Sequence, residues 1–333
     1  MTTHARPSQT VLIVIPCLNE AANIARLLDG LFPSVLRLGA RIAVVDGGSN
    51  DGTQAIVEDY AVEHPQVMLL HNENRIQSAA VNLAIRELGG AFDYFIRIDA
   101  HGEYPATYCD DLLTEAIETS ADSVVVSMVT KGAGAIQKAA AVAQNSRLGT
   151  GGAKHRHTGK GMWIDHGHHA LMRVAAFTAV GGYDEAFRQN EDAELDFRLW
   201  QAGYRIWLTG RTYMIYFPRS SLVTLYSQYL GYGRGRARNL LKHRVKPKLR
   251  QLVPLAVFPN VAIAAFSFMY SLSALPLLLW LGVCAAFGLR AAVREKNIRL
   301  AVAGISIVVM HFAWSLGFWL QIVASAPWRR STP

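Results

Sequence analysis

The feature that most constrains this chain is a pair of long uncharged runs near its C-terminus. Residues 252–289 contain no charged side chain, and residues 300–326 contain none apart from His311. A helix needs about 20 apolar residues to cross a bilayer, so each run is long enough. A soluble hydrophobic core is the alternative, and it is disfavoured because charged residues make up only 17% of the chain. We therefore predict two to three transmembrane helices within residues 251–330.

Basic residues lie next to these runs, in a chain whose formal net charge is +8. They are Lys242, His243, Arg244, Lys246, Lys248 and Arg250 before the first run, and Arg290, Arg294, Lys296 and Arg299 between the two. Such residues flank membrane spans on their cytoplasmic side and attract anionic lipid headgroups. Nucleic-acid binding is the alternative explanation, but the position beside apolar runs favours a membrane. We expect no nucleic-acid partner, and a location in the inner (cytoplasmic) membrane.

The first apolar run is too long for one ordinary helix. Pro276 and residues 270–273 could break it into two short helices, which would form a hairpin with both ends in the cytosol. Residues 300–326 would then cross once more, and two spans are the alternative. Near the N-terminus, the apolar stretch at residues 11–15 is too short for the core of a signal peptide. Residues 1–250 are therefore expected to face the cytosol.

The first 130 residues alternate strand-like and helix-like segments. Runs rich in β-branched residues are typical of buried strands, and the segments between them have helical patterns. Strands are predicted at residues 11–16, 41–46, 67–71, 93–99 and 123–129. Helices are predicted at residues 20–31, 53–63 and 76–88, and from residue 105 onwards. This alternation predicts βαβ units around a mainly parallel sheet, and therefore an α/β domain.

Beyond residue 130 the pattern is less regular. A short strand is predicted at residues 162–166, helices at residues 171–180 and 192–202, and late strands at residues 205–208 and 212–217. The α/β domain is expected to cover residues 1–220. Residues 221–250 are predicted to form an aromatic and basic helical segment that leads into the membrane.

Two acidic motifs follow predicted strands. Ligands of open α/β sheets bind beyond the carboxyl ends of the strands. Asp46 ends the second strand and opens the segment DGGSNDGT, whose glycines let a ligand approach the backbone and whose helix start offers N–H groups to an anion. The alternative interpretation of this segment is an ordinary turn in which Asp51 or Thr53 caps the helix. Asp99 ends the fourth strand, and with His101 it could reach one metal ion held by a diphosphate.

A third acidic motif, Glu191 and Asp192, lies at a predicted helix start. These carboxylates could simply complement the helix dipole. A carboxylate is also ionised at neutral pH, and it could take the proton from an attacking hydroxyl group. Nearby, His166, His168 and His169 form a cluster. In a strand, His166 and His168 would share a face and His169 would point away, so structural or acceptor-pocket roles are favoured over metal binding.

Several of these segments together resemble family 2 glycosyltransferases, which have a Rossmann-like GT-A fold. They are VLIVIPCLNE, VVDGGSNDGT, the strand end at Asp99, VGGYDEAF and NEDAEL, in the order and approximate spacing of that family. The resemblance covers about residues 10–240. Within the family the chain is similar to exopolysaccharide glucosyltransferases of the succinoglycan-biosynthesis type, through the segments NRIQSAAVNLA, RIDAHGEYP, DHGHHALMR and YGRGRAR.

The resemblance implies a UDP-sugar donor, an acceptor glycan on a polyprenyl diphosphate and inversion of the anomeric centre. It places Pro16, Glu20, Asp46 and Asp99 at the nucleotide, Asp99 and His101 at a divalent metal, and Asp192 as the catalytic base. Glu191, His168, Arg234, Arg236 and Arg238 are expected at the diphosphate or the acceptor. Guanidinium groups suit phosphates because they donate paired hydrogen bonds. Membrane-surface charge is the alternative role of the three arginines.

The sequence departs from the family pattern at three points. Many members carry a second acidic residue where this chain has Gly47, so Asp46 would contact the base alone or change its role. His101 replaces the usual Asp of the metal motif, and because imidazole suits transition ions better than Mg²⁺, we expect a preference for Mn²⁺ over Mg²⁺. The Gln-x-x-Arg-Trp signature of processive members is absent around Gln228. Addition of a single sugar is therefore expected.

Two other functions remain as alternatives. A polyprenyl-phosphate sugar synthase would share the nucleotide site but use a bare lipid phosphate as acceptor. A membrane scaffold or carrier could bind nucleotide without turnover, but Asp46, Asp99 and Asp192 make a complete acidic set for transfer. A dehydrogenase is disfavoured because the G-x-G-x-x-G fingerprint is missing after the first strand.

Overall fold

The computed structural model describes residues 9–152, 159–267 and 270–325. The described residues form two units. The first is built from residues 9–128 and 159–215, and the second from residues 129–152, 216–267 and 270–325.

The strands begin and end close to where the runs of β-branched residues predict. They are β1 Val11–Cys17, β2 Arg41–Asp46, β3 Val67–His71, β4 Tyr94–Arg97, β5 Ser123–Thr130, β6 Met162–Ile164, β7 His168–Arg173 and β8 Ile206–Tyr216. The first five confirm the predicted strands. Every side chain of β2 after Arg41 is buried, as expected for a strand that is covered on both faces.

The helices fill the segments between these strands and most of the C-terminal third. They are α1 Ile24–Leu38, α2 Thr53–Glu63, α3 Gln77–Leu88, α4 Tyr108–Thr119, α5 Ala135–Gln144, α6 Arg147–Thr150, α7 Val174–Ala179, α8 Glu191–Gln201, α9 Leu222–His243, α10 Leu249–Ala264, α11 Leu275–Arg294 and α12 Val302–Ala324. Short 3₁₀ turns at Gly89–Ala91, Ser271–Ala274 and Ile298–Ala301 connect some of them. Helix α1 ends at Gly39, which adopts the left-handed conformation that glycine tolerates best.

The strands form one mixed sheet in the order β3-β2-β1-β4-β7-β5-β8-β6. The pairs across β3, β2, β1 and β4 are parallel, whereas β7 is antiparallel to both β4 and β5. Cys17 at the end of β1 lies beside Asp46 at the end of β2. The carboxyl ends of the parallel strands therefore meet at one edge, which is where an α/β sheet binds its ligands.

The main core of the first unit lies between this sheet and helices α3, α7 and α8. Leu12 and Val14 alternate with residues that point to the other face of β1, and they pack with Phe95 and with Leu195 of α8. This packing fixes α8 against the sheet. As a result, the acidic residues at the start of α8 are held close to the ends of the central strands.

Two predictions after residue 130 are wrong in detail. The helix predicted at residues 171–180 begins only at Val174, because residues 168–173 form β7 between β4 and β5. The two late strands predicted at residues 205–208 and 212–217 are one strand, β8. In both cases pairing with distant strands decides the structure, and a local pattern cannot reveal that pairing.

The second unit holds the apolar C-terminal helices. Residues Leu272–Arg294 and Ile298–Ala324 are each long and apolar enough to cross a membrane, whereas Gln251–Ala264 is a shorter apolar helix. The predicted break near residues 270–273 is present as a 3₁₀ turn, and Pro276 lies in the first turn of α11, where proline is tolerated. Among the described residues, two helices therefore satisfy the length requirement for a span.

Helices α9 and α12 of this unit cross at a pair of glycines. A Cβ atom on Gly233 of α9 would overlap the carbonyl oxygen of Trp314, and one on Gly317 of α12 would overlap that of Leu230. The close approach of the two backbones therefore requires glycine at both positions. Small residues at such crossings are typical of helix pairs in membranes.

We predict that Gly233→Ala lowers the free energy of unfolding by about 1–3 kcal/mol, because the new methyl group must push two helix backbones apart. Gly282→Ala on α11 is the matched control, since a Cβ there meets nothing within 4 Å. Thermal unfolding of both variants in the same detergent measures the difference. Equal melting temperatures for Gly233→Ala and Gly282→Ala would contradict the proposed crossing.

Candidate active site

The loops that follow β1 and β2 are tied together by hydrogen bonds. The backbone N–H of Asn19 donates to Ser49 Oγ at 2.8 Å, and the N–H of Asn50 donates to Asn19 Oδ1 at 2.9 Å. The N–H of Glu20 donates to Thr53 Oγ1 at 2.8 Å. These contacts hold two of the predicted nucleotide-binding segments, around Glu20 and around Asp46, in one rigid edge.

Asp46 is completely buried at the end of β2. Its Oδ1 accepts hydrogen bonds from the N–H groups of Gly48 and Ser49 at 2.8 and 2.9 Å and from Gln54 Nε2 at 2.6 Å. Ser49 Oγ donates to its Oδ2 at 2.5 Å. Burial alone would raise the pKa of Asp46, but these hydrogen bonds hold it below its ordinary value. The carboxylate therefore organises the loop, and its predicted contact with the nucleotide stays a prediction.

The capping role considered for Asp51 is present. Its Oδ1 accepts hydrogen bonds from the backbone N–H of Thr53 at 3.1 Å and from Thr53 Oγ1 at 2.5 Å, at the start of α2. Asp51 Oδ2 also accepts from the N–H of Ala21 at 3.0 Å. The Asp51 carboxylate therefore positions the start of α2 and ties it to the loop after β1.

Asp99 follows β4 and faces the same edge. Its Oδ1 accepts a hydrogen bond from Gln77 Nε2 at 2.7 Å, and its backbone N–H donates to Tyr104 Oη at 2.8 Å. Two residues later, Nδ1 of the exposed His101 lies 3.2 Å from Glu20 Oε1. Glu20, Asp99 and His101 are therefore gathered on the loops after β1 and β4, with Pro16 half-buried in β1 itself.

Asp192 begins α8 and is paired with a buried arginine of β4. Arg97 Nη1 donates to Asp192 Oδ1 at 2.6 Å and Nη2 donates to Oδ2 at 3.2 Å, although 95 residues separate the two. The Arg97 side chain is only 2% exposed, and that of Asp192 is 15% exposed. Tyr183 Oη also donates to Asp192 Oδ1, at 3.3 Å. This bidentate pair fixes the direction of the Asp192 carboxylate.

His168 joins the two acidic motifs. Its Nε2 lies 3.6 Å from Asp99 Oδ2, and its Nδ1 lies 3.7 Å from Asp192 Oδ2. Burial, together with the charge of Arg97, lowers the pKa of His168 to about 4, so its ring is neutral at pH 7. One imidazole ring therefore separates the carboxylates of Asp99 and Asp192, which the sequence predicts to act on one substrate.

The electrostatic setting differs between the two acids of the third motif. Burial alone would raise the pKa of Asp192, but Arg97 and His169 hold it well below its usual range. Burial and the adjacent charge of Asp192 raise the pKa of Glu191. Asp192 is therefore ionised at neutral pH, whereas Glu191 takes up a proton more readily.

The three predicted arginines lie on α9, in the second unit. Arg234 and Arg238 are exposed and one helical turn apart, so they share a face of the helix. Arg236 is half-buried and lies between them in sequence, about 200° around the helix from Arg234. Arg234 and Arg238 are thus the two that can contact one ligand together.

The side chains near Asp99 fit a divalent metal in their chemistry. Asp99 offers a carboxylate and His101 an imidazole, which together suit Mn²⁺ better than Mg²⁺. Among the described residues, no group of three His, Cys, Asp or Glu side chains could hold a metal ion without other ligands. The diphosphate of a bound nucleotide would therefore have to supply further oxygen ligands.

Sequence reasoning missed three residues of this site, namely Arg97, Tyr183 and Asp196. An arginine inside an otherwise apolar strand was a signal for the first. For the third, the signal was an aspartate four residues after Asp192, on the same face of α8. The expected separation of the histidines also fails, because both His166 and His169 contact Asp196. His166 lies in the connection between β6 and β7 and not in a strand, so the alternation of a strand does not apply to it.

The sequence of residues 12–181 matches the model of the family described as Glycosyl transferase family 2. The chain belongs to this family. It is also 53% identical over 323 residues to the succinoglycan biosynthesis protein ExoA of Rhizobium meliloti, a match that covers 97% of this chain and 98% of the relative. The resemblance inferred from the motifs is therefore confirmed.

Two more distant similarities agree with this assignment. A polyprenol monophosphomannose synthase of Mycolicibacterium smegmatis is 28% identical over 130 residues, which is 38% of this chain and 48% of that protein. The structure of a Pyrobaculum calidifontis mannosyltransferase, solved with GDP-mannose and Mn²⁺, superposes with a TM-score of 0.57 at 21% identity, covering 90% of this chain and 86% of that one. The glycosyltransferase therefore has the GT-A-like fold that the resemblance implied.

We predict that Arg97→Met lowers the free energy of unfolding of this glycosyltransferase by about 3–5 kcal/mol, because it removes the bidentate cation that compensates the charge of Asp192. Arg37→Met is the control, since it breaks the half-exposed pair of Arg37 with Asp110, where solvent screens the charges and little stability should be lost. Denaturant unfolding in detergent compares them.

In the double variant Arg97→Met/Asp192→Asn, part of the lost stability should return, because the uncompensated charge is gone. Equal losses for Arg97→Met and Arg37→Met, or strictly additive effects in the double variant, would contradict the importance of the pair.

Proposed function

We propose that this chain is a membrane-associated, inverting and non-processive transferase. It moves a hexose, glucose in our proposal, from a UDP-sugar to a glycan on a polyprenyl diphosphate during exopolysaccharide synthesis. The observation that carries the proposal is that the carboxylates of Asp99 and Asp192 lie beside the two different nitrogens of the His168 ring, at 3.6 and 3.7 Å. The near full-length similarity to a succinoglycan biosynthesis protein supports the proposed pathway.

The donor nucleotide would bind at the edge formed by the loops after β1, β2 and β4. Pro16, Glu20 and Asp99 are the proposed contacts. Asp46 would act by holding the backbone of Gly48 and Ser49 in place, since its own oxygens already accept hydrogen bonds. Asp99 and His101 would hold a divalent cation, which, when bound, neutralises charge on the leaving diphosphate.

The transfer itself would be a single displacement. The acceptor hydroxyl oxygen attacks the anomeric carbon, and its proton moves to Asp192 Oδ. The bond between the anomeric carbon and the diphosphate oxygen breaks, and UDP leaves with the electron pair. Attack from the face opposite the diphosphate inverts the anomeric centre. The depressed pKa of Asp192 ensures that its carboxylate is ionised before the attack.

Polar side chains would hold the acceptor. We assign Glu191 and His168 to the acceptor sugar or its diphosphate, and the pair Arg234 and Arg238 to a diphosphate. The basic residues that flank α10, α11 and α12 support a catalytic domain on the cytosolic side. An acceptor with a polyprenyl chain suits an enzyme with two helices long enough to span a bilayer.

A polyprenyl-phosphate sugar synthase is the second candidate, favoured by the similarity to the polyprenol monophosphomannose synthase. Product mass separates the two candidates. Membranes containing the protein are incubated with a panel of radiolabelled UDP-sugars and lipid-extracted acceptors. A diphosphate-linked oligosaccharide supports our proposal, and a sugar on a lipid monophosphate supports the second candidate.

We predict that Asp192→Asn lowers kcat at least about 100-fold while the KM for the donor changes little, because removal of the proton from the acceptor hydroxyl is lost. Asp59→Asn on the exposed face of α2 is the control for the same chemical change. Steady-state assays of the purified protein in nanodiscs measure both. Wild-type turnover by Asp192→Asn would refute the assignment of the base.

We predict higher activity with Mn²⁺ than with Mg²⁺ after removal of bound metals by chelation. His101→Asp should shift the preference towards Mg²⁺, because a carboxylate replaces the imidazole ligand. His101→Ala, which removes the ligand without adding an oxygen, is the matched control. Equal activity of the wild type with both metals, or no shift in His101→Asp, would count against His101 as a ligand.

A further inference from the structure

Helix α8 presents two aspartates on one face. Asp192 and Asp196 are four residues apart, so their side chains lie one helical turn from each other. The ring of His169, from β7, lies between them: its Nδ1 is 3.3 Å from Asp192 Oδ1, and its Nε2 is 2.7 Å from Asp196 Oδ1. Both ring nitrogens of one histidine therefore face carboxylate oxygens.

The donors and acceptors around this ring bear on its protonation. The carboxylate of Asp196 accepts only, so His169 Nε2 carries a hydrogen. Tyr183 Oη lies 2.6 Å from Nδ1 and accepts a hydrogen bond from Arg97 Nη1 at 3.0 Å. Tyr183 can therefore donate to a neutral ring, or accept from an imidazolium and donate to Asp192 Oδ1 at 3.3 Å. Carboxylate oxygens within 3.3 Å of both ring nitrogens favour the imidazolium.

The arrangement is buried, so its charges interact more strongly than they would in water. The side chains of His169 and Asp196 are only 3% and 1% exposed. Asp196 is held from its other side by His166 Nδ1 at 2.9 Å and by the backbone N–H of Gly167 at 3.1 Å. The remaining charged and titratable groups around His169 are Arg97 on β4, Tyr183 before α8, His168 on β7 and Glu191 on α8.

We propose that His169 and Asp196 are positioning residues of the transfer site. Asp196 keeps the His169 ring doubly protonated and aimed at Asp192, and this second cation acts with Arg97 to fix the carboxylate of Asp192 in one orientation. The proposal rests on the assignment of Asp192 as the base. It adds to that assignment a carboxylate and an imidazolium that do not touch the substrate.

The direction of the pKa shifts agrees with this arrangement. Burial would lower the pKa of His169, but Asp196 and Asp192 raise it above its ordinary value. Burial would raise the pKa of Asp196, but His169 and His166 lower it. Because the working form of His169 is protonated, its contribution is lost as the pH rises through its pKa. Removing the charge of Asp196 must move that loss to lower pH.

Asp196→Asn tests the proposal with the full-length protein in nanodiscs. We expect kcat near pH 8 to fall at least about tenfold, with little change in the KM for the UDP-sugar. The alkaline limb of the kcat profile should move down by about one pH unit, and activity should approach that of the wild type at low pH. Recovery at low pH is not expected if Asp196 only supports the fold.

Glu194→Gln is the matched control. It removes the charge of another buried carboxylate of α8, which pairs with Arg198 at 2.6 Å. We expect it to lower the melting temperature but to leave the alkaline limb unchanged. An Asp196→Asn profile that coincides with that of the wild type or of Glu194→Gln would overturn the proposal.

The protonation of His169 is also measurable without turnover. In ¹⁵N NMR spectra of histidine-labelled protein at pH 7, both ring nitrogens of His169 should carry hydrogen in the wild type and lose that state in Asp196→Asn. A neutral His169 ring in the wild type would overturn the proposal. Absence of sugar transfer by the wild type, with an imidazolium still observed, would instead refute the proposed function and with it the role of Asp192.

Discussion

The buried ion pair between Arg97 and Asp192 is the interaction on which the site depends. It joins the central strand β4 to the start of α8, and Asp99 follows Arg97 by only two residues. A carboxylate so deep in the protein would take up a proton unless a cation compensated its charge. Arg97 therefore does two things at once. It keeps Asp192 ionised, and it holds this carboxylate one imidazole ring away from Asp99.

Much of the fold was predictable because its determinants are local. The β-branched runs of β1 to β5 and the turn residues around Gly52 and Thr53 predict strands and helix starts that the structure confirms. Strand β7 was not predictable in this way. Its last residues, 171–173, were predicted to begin a helix, and they belong to a strand because they complete the sheet between β4 and β5. The uncharged runs predict apolar helices reliably, because the apolar character of a helix depends only on its residue composition.

The site was predictable only in part. Asp99 and Asp192 stand out because each lies at a strand end or a helix start within a recognisable motif. Arg97, Tyr183 and Asp196 act through contacts with residues on other elements, so the weak signals that Arg97 and Asp196 carry in the sequence do not reveal their partners. Asp46 shows the opposite case, since its motif is prominent in the sequence, yet hydrogen bonds from its own loop occupy its oxygens.

The central claim is that carboxylates from β4 and α8 serve one sugar-nucleotide site. An experimental structure of the protein bound to UDP and Mn²⁺ tests it most directly. The account predicts the diphosphate beside Asp99, with the Asp192 carboxylate facing the open space next to the terminal phosphate. A nucleotide bound away from Asp99, or separated from Asp192 by the body of the protein, would contradict it.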